Sequence, residues 1–476
     1  MTATIDRAAG LAGRLPFSWL VAVATLGCVS LGVGIATLEG ALVPATAAAA
    51  ALLFVLVSLR WPLVPLFAFA MVIPIDEVTS LGPLGSPGRI AAIAFVVAYA
   101  APRVWRIRVE PISLAGWAYL GWALLSVGWA LDAGLAVQEL GTLVQMFALG
   151  LLVANAVIER PAIVRPLLAA YSVSAALTAA VGIVAGGVLG SGQLQRITAF
   201  GGQDPNQFAA ILLPAVIFGL FQFVQGWHRN LAAAIAVACI AGIVLSGSRG
   251  AWVSLAAVTA IFLLPRFSFR QGIAAIGFLV ILLVALLQLP GVADFVTTRT
   301  DLALATGGAG RTEIWSAGIE IIQSSPITGV GFANFPTAFT ADVVQAAGIL
   351  DPTRAGSGAH NIVIGSFAEV GIVGSAFLAL FIVPLVLRRG YGPDAVIVQA
   401  GLASLMVDAL FLDVLSNRKQ VWLLIGLAAG LIWLARRDRI AAAREPNSSP
   451  PAGTKQRARL ARGPEFSPVD DGGRSL

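Results

Sequence analysis

The chain has 476 residues, of which 58% are hydrophobic and 11% charged, whereas soluble domains carry roughly 25% charged residues. With a mean hydropathy of +0.89, this composition excludes a soluble enzyme, a disordered protein and a nucleic-acid binder, and leaves an all-α, polytopic membrane protein. The net charge is +6, and much of it sits in residues 436–476, which hold nine Lys/Arg against five Asp/Glu.

In chain order, residues 1–16 form a short N-terminus with Arg7 and Arg14. The apolar run behind it is too long for a cleaved signal peptide and reads as an uncleaved anchor. At about 20 apolar residues per crossing, spans are expected near 17–38, 41–59, 61–75, 89–102, 112–130, 135–157, 165–189, 206–224, 230–246, 249–265 and 271–290. Residues 17–290 are thus a bundle of about eleven spans. A long polar loop, 291–359, follows. It is expected to hold a helix over Arg311–Ser324, with Ile314, Trp315, Gly318, Ile319 and Ile322 along one stripe and Pro326 as its stop. A second helix is expected near Asn334–Ala347. Three further spans, near 360–387, 394–413 and 420–435, fill residues 360–435. The third and fourth spans are short, so the total is about 12–14. The tail, 436–476, reads as disordered and basic, with Ser-Ser-Pro-Pro at 448–451. Cys28 and Cys239 both fall in apolar runs and predict neither a disulfide nor a metal site.

Arginine placement sets the expected orientation. With the N-terminus in the cytoplasm, sixteen basic residues fall on inner loops and eight outside: Arg89, Arg196, Arg249, Arg299, Arg311, Arg354, Arg418 and Lys419. The bias predicts both termini cytoplasmic and the 291–359 loop extracytoplasmic. The outer cations run against it, so each needs a local reason. Snorkelling to a headgroup is the simplest.

Chemistry has few candidate carriers. His228 lies in a short inner link, Gly226–Asn230, and reads as a headgroup-facing residue. His360 ends the long loop where the chain re-enters the membrane, and histidine exchanges protons near neutral pH. Arg196, Arg249 and Arg311 share polar or Gly-rich settings on the outer side. Guanidinium groups fork onto phosphate oxygens, and Gly247 and Gly250 let backbone N–H groups approach an anion. Glu139, Glu369 and Asp408 lie inside spans, where an acid is expected to face the interior and pair, or else to line an ion pathway. The sequence has no Asp-x-Asp in an outer loop, no His-Glu-x-x-His and no Walker-type loop.

Four stretches carry a resemblance. They are Arg196–Phe200 with Asp204–Ala209, then Ser248–Trp252, then Gly310–Trp315 with Pro326–Gly331, and last His360–Asn361 with Glu369–Gly374. In this order, with the long loop between the last two blocks, they resemble the bacterial O-antigen ligase and O-antigen polymerase superfamily over residues 190–390. The resemblance implies a multi-pass protein of the bacterial inner membrane. It also implies a transferase that takes a glycan from an undecaprenyl-pyrophosphate carrier and moves it to a lipid or saccharide acceptor. Arg249 and Arg311, with Arg196, would hold the donor pyrophosphate, and His360 would activate the acceptor hydroxyl. Asn206, Glu313, Asn361 and Glu369 would support them. The reaction would be inverting and need no metal or cofactor. The partners implied are the lipid-linked donor, the acceptor and membrane lipids, with no nucleic acid. Ligase and polymerase share this donor chemistry and stay open. A secondary transporter is the alternative from another class, and would show broken helices in repeated halves with acids along a through-path.

Overall fold

A computed structural model of the chain describes residues 53–76, 86–185, 196–199, 204–305, 311–340, 342–343, 355–412 and 418–444. The expected span at 17–38, most of that at 41–59, Cys28 and the tail beyond 444 lie outside these residues. Within them the secondary structure is helical, with no strand.

The helices are α1 (Val64–Val72), α2 (Pro87–Phe95, continued by a π turn and a 3-10 turn to Arg106), α3 (Leu114–Ser126) and α4 (Ala133–Glu159). Next come α5 (Val164–Ala185), α6 (Pro205–Gln225), α7 (Arg229–Ser246), α8 (Arg249–Val258, then a π turn to Leu263) and α9 (Phe269–Leu287). The long loop holds α10 (Val292–Ala305), α11 (Arg311–Ser324) and a single turn at Phe335–Ala338, and α12 (Ile362–Leu387), α13 (Asp394–Asp408) and α14 (Lys419–Arg444) follow. Several starts are written in short polar caps. Ser113, Asp132, Asp204, Ser268 and Asn361 each accept a backbone N–H from the first turn of α3, α4, α6, α9 and α12. Helix α14 runs on to Arg444, past residue 435, where the sequence pattern ends the last span.

Among the described residues, eight helices are long and apolar enough to cross a membrane by length and composition. The chain is a polytopic helical bundle. In hydrocarbon a helix satisfies its own backbone, which is why apolar runs become helices rather than open sheet. Helix α6 is the hub: 83% of its most apolar window is buried, against 11% for α9 at the periphery. It packs against α5, α7 and α13. Helices α4 and α14 approach closely through small residues. A Cβ at Gly426 would lie 2.6 Å from the Gly150 carbonyl, and one at Gly430 would lie 2.8 Å from that of Ala154. Close backbone packing of this kind holds membrane helices together where lipid is as apolar as the side chains. Trp422 of α14 sits buried beside Phe147, ring centroids 4.7 Å apart.

The single span expected at 360–387 is interrupted. Gly371 has φ 65° and ψ −170°, which splits α12 into two helical pieces. The segment 326–331 docks into the break. Val330 N–H donates to Ala368 O (2.9 Å), Gly331 N–H to Glu369 O (2.9 Å) and Ile372 N–H to Pro326 O (3.0 Å). Contact is so close that a Cβ on Gly371 would meet Ile327 O at 2.1 Å, and one on Gly329 would meet the Glu369 carbonyl at 2.4 Å. Trp122 Nε1 donates to Val370 O (2.9 Å), covering another carbonyl beside the break. The other side of the segment ties to the α3–α4 turn. Leu131 N–H donates to Val330 O (3.2 Å), Phe332 N–H to Ser126 Oγ (3.0 Å) and Asp132 N–H to the buried Asn334 Oδ1 (2.6 Å).

Helix α11 has the expected bounds, 311–324, and packs on α12. Its buried face is Ile314, Ala317, Gly318 and Ile321, whereas Ile319 is half exposed. The face is turned from the expected stripe because Gly318 must meet Ile364 at 2.4 Å from an added Cβ. The helix expected near 334–347 is short among the described residues, Phe335–Ala338.

Candidate functional site

Ends of several helices gather the candidate residues. Asp204 caps α6 by accepting from Asn206 N–H (2.6 Å) and Gln207 N–H (3.1 Å), with Pro205 in the first turn. That cap presents Asn206, whose Oδ1 accepts from Arg196 Nη2 at 2.7 Å. Arg196 Nε donates to Ser246 O (2.7 Å), the last residue of α7. Arg196 is therefore fixed by two bonds between α6 and α7.

The α7–α8 turn follows. Gly247 takes the left-handed conformation (φ 66°) that a sharp helix end needs, and α8 restarts at Arg249. A Cβ at Gly247 would stand 3.3 Å from Arg299 Nε and 3.6 Å from Arg196 Nε. Arg299, on α10, is thus drawn into the cluster. Burial lowers the Arg196 pKa to about 10, helped by the positive charges of Arg299, Arg311 and Arg249 and opposed by Asp204. At that value Arg196 stays cationic at neutral pH.

Arg249 and Arg311 line one cavity of about 290 Å³, with Gly250, Val253, Thr312, Trp315 and Phe411. Asp408 lies against it: its Oδ1 is 3.0 Å from where a Gly250 Cβ would stand, and it is 1% exposed. Two buried polar atoms here, Asp408 Oδ2 and Trp315 Nε1, lack hydrogen-bond partners. A carboxylate beside a guanidinium and an unengaged indole N–H suit a polar guest.

His360 precedes α12 with φ 47°, a left-handed conformation uncommon outside glycine. Just beyond it, Ile362 N–H donates to Ala409 O (2.8 Å). That bond holds the His360 turn beside the end of α13, which carries Asp408 and leads to Phe411. Asn361 caps α12, its Oδ1 accepting from Val363 and Ile364 N–H (2.9 and 3.1 Å). Glu369 Oε1 accepts from Phe335 N–H (3.3 Å) next to the break in α12. Glu313 is exposed in the first turn of α11, where a carboxylate suits the helix dipole. Asp408 is buried, whereas Glu139 is only half buried near the start of α4.

Arg196, Arg249 and Arg311 therefore share one electrostatic neighbourhood, with two of them on a common cavity wall. Sequence reasoning left out Arg299, which was counted only as an outer cation, and Trp315 and Asp408 as cavity neighbours. The signal for Arg299 was its sign on the wrong side of the arginine bias.

Residues 234–379 match a family model, Wzy_C, described as O-antigen ligase. The matched stretch runs from α7 into α12 and contains Arg249, Arg299, Arg311, His360 and Glu369, while Arg196 and Asp408 lie outside it. Among curated proteins no match is found.

Proposed function

We propose that the chain, whose residues 234–379 match an O-antigen ligase domain, is a multi-pass membrane enzyme of the O-antigen ligase and polymerase superfamily that transfers a glycan from a polyprenyl-pyrophosphate carrier to an acceptor hydroxyl. The observation that carries this reading is the cavity with Arg249 and Arg311 on its wall and Arg196 and Arg299 beside it. Four cations at one end of a membrane bundle suit a diphosphate whose lipid lies in the bilayer. The site end, by the arginine bias, is the outer face of the inner membrane, with both termini cytoplasmic.

In the proposed reaction the acceptor oxygen attacks the anomeric carbon as its proton passes to His360. The carbon–oxygen bond to the diphosphate breaks, and its electron pair leaves with the polyprenyl pyrophosphate. Displacement from the opposite face inverts the anomeric centre. The arginines stabilise the charge growing on the leaving group, so no metal is called for. Holding donor and acceptor side by side supplies much of the remaining acceleration. The strained His360 backbone supports a functional role, since such outliers persist where the surrounding structure enforces them.

The interruption of α12 invites comparison with transporters, whose broken helices free carbonyls to line a substrate path. Here Ala368, Glu369 and Val370 carbonyls accept from protein donors instead, which favours a static scaffold. The test is purified protein in proteoliposomes with undecaprenyl-pyrophosphate-linked glycan and a candidate acceptor. Acceptor-dependent transfer with stoichiometric release of undecaprenyl pyrophosphate is expected. A lipid A core acceptor against a second donor glycan separates ligase from polymerase. Coupled ion flux without glycan transfer would reject the proposal.

A further inference from the structure

We infer that Arg299, with Arg196, grips the lipid-side phosphate of the donor, so that the site selects diphosphate carriers over monophosphate ones. The inference rests on the donor reading above and adds a residue and a selectivity to it.

The cations divide into two pairs. Arg249 and Arg311 line the cavity with Thr312 and Trp315. Arg196 and Arg299 flank Gly247, each Nε within 3.6 Å of the position a Cβ would occupy. That glycine has no side chain to separate them, and its left-handed backbone disfavours acquiring one. Arg299 is the largest charge acting on Arg196, ahead of Arg311 and Arg249, and it is also the charge acting on Arg249. Ion pairs between described side chains hold Arg103, Arg165, Lys419 and Arg437, and none holds Arg299. Guanidinium groups crowded together repel one another, and an anion between them removes that repulsion.

Two pairs of cations match two phosphates. The assignment of ends follows from the surroundings. Residues 196–199 pack on α5, where a Cβ at Gly182 would meet Thr198 O at 3.1 Å. The same part of α5 exposes Leu177, Val181 and Val184 along a wholly apolar hollow, a surface suited to an isoprenoid chain. The cavity pair instead shares its wall with Trp315 and Phe411 and has Asp408 beside it, and the bond from Ile362 N–H to Ala409 O ties the turn that carries His360 to the end of the helix that bears Asp408. The lipid phosphate therefore falls to Arg196 and Arg299, and the sugar phosphate to Arg249 and Arg311.

The experiment measures inhibition of glycan transfer by undecaprenyl pyrophosphate and by undecaprenyl phosphate, in wild type, Arg299→Gln and Arg299→Lys. Wild type should prefer the diphosphate. Arg299→Gln should lose that preference roughly tenfold or more, as expected for one charge-assisted contact, and the KM for donor should rise. Arg299→Lys should recover part of the preference because the charge returns without the fork. Arg299 is partly exposed on a helix of the loop, so Gln is expected to fold. Asp301→Asn, on the same exposed helix, should change neither inhibitor and so controls for general disturbance of α10. Unchanged selectivity in Arg299→Gln, or an equal weakening of both inhibitors, would overturn the inference while leaving the donor reading intact. A wild-type enzyme indifferent to undecaprenyl pyrophosphate would overturn both.

Discussion

His360, the proposed base, holds a backbone conformation that costs an ordinary residue about 1–2 kcal/mol. Its strain and its proposed role can be separated. Both His360→Gly and His360→Ala should lose about 10²–10⁴-fold in transfer while still binding donor. Only Gly relieves φ 47°, so His360→Gly should unfold at a higher temperature than His360→Ala in detergent. Equal melting temperatures would show that the turn relaxes freely. The arginines should fail differently. Arg249→Ala or Arg311→Ala should weaken donor binding by roughly tenfold or more, because a charged hydrogen bond is removed. Arg196 sets an upper pH limit: it is cationic below about 10 and neutral above, so donor affinity should hold through neutral pH and decline as pH rises toward that value. Affinity that declines between pH 7 and 8 would place the controlling group elsewhere. Arg196, Arg249, Arg311 and His360 stand out in the sequence as candidates because each sits beside a glycine or a polar run on the proposed outer side. Arg299 does not, since Gly247 and Arg196, the residues that give it meaning, are remote in sequence.

At the scale of elements, helices with clear punctuation were the readable ones. Arg-Thr-Glu at the start and Pro326 just past the end fix α11, and Asp204-Pro205 fixes the start of α6. The break in α12 gave no such sign. Glu369-Val370-Gly371-Ile372-Val373-Gly374 reads as apolar helix, and only the docking of 326–331 makes Gly371 leave helical geometry. Substituting alanine for Gly371 or Gly329 should therefore destabilise the fold by at least about 1–3 kcal/mol from backbone strain alone, before the contacts at 2.1 and 2.4 Å are relieved. Lower thermal stability, together with faster proteolysis within 311–340, is the expected result. Stability unchanged in both variants would mean that the segment docks only loosely.

For the whole molecule, composition alone secured the membrane class, because runs of about 20 apolar residues leave little choice. It did not reveal how the spans associate. The α4–α14 contact depends on Gly150 and Ala154 facing Gly426 and Gly430, a match invisible along either helix separately. Gly426→Leu should part these helices and lower the yield of folded, monodisperse protein, whereas Gly141→Leu, which has open space around it, should not. The proposed topology puts residue 357 outside the cell membrane. A cysteine introduced at Ser357 should react with an impermeant thiol reagent in outer-permeabilised cells. Labelling only after lysis would reverse the orientation and remove the site from the outer face.

The segment 326–331 leaves the ribosome before the residues that receive it. Its anchor at Leu131, and those of the adjoining Phe332 and Asn334 at Ser126 and Asp132, are synthesised earlier, but the Ala368 and Glu369 carbonyls that complete its bonds are synthesised later. During biogenesis the loop must therefore wait, crossed to its final side yet half secured, until the first piece of α12 inserts and supplies them. Chains stalled by truncation before residue 368 should expose this segment to protease, and chains extended past residue 387 should shield it. The end of the bundle proposed to be catalytic is then completed by the last third of the chain, and on that reading a nascent protein stays inert until that third has entered the bilayer.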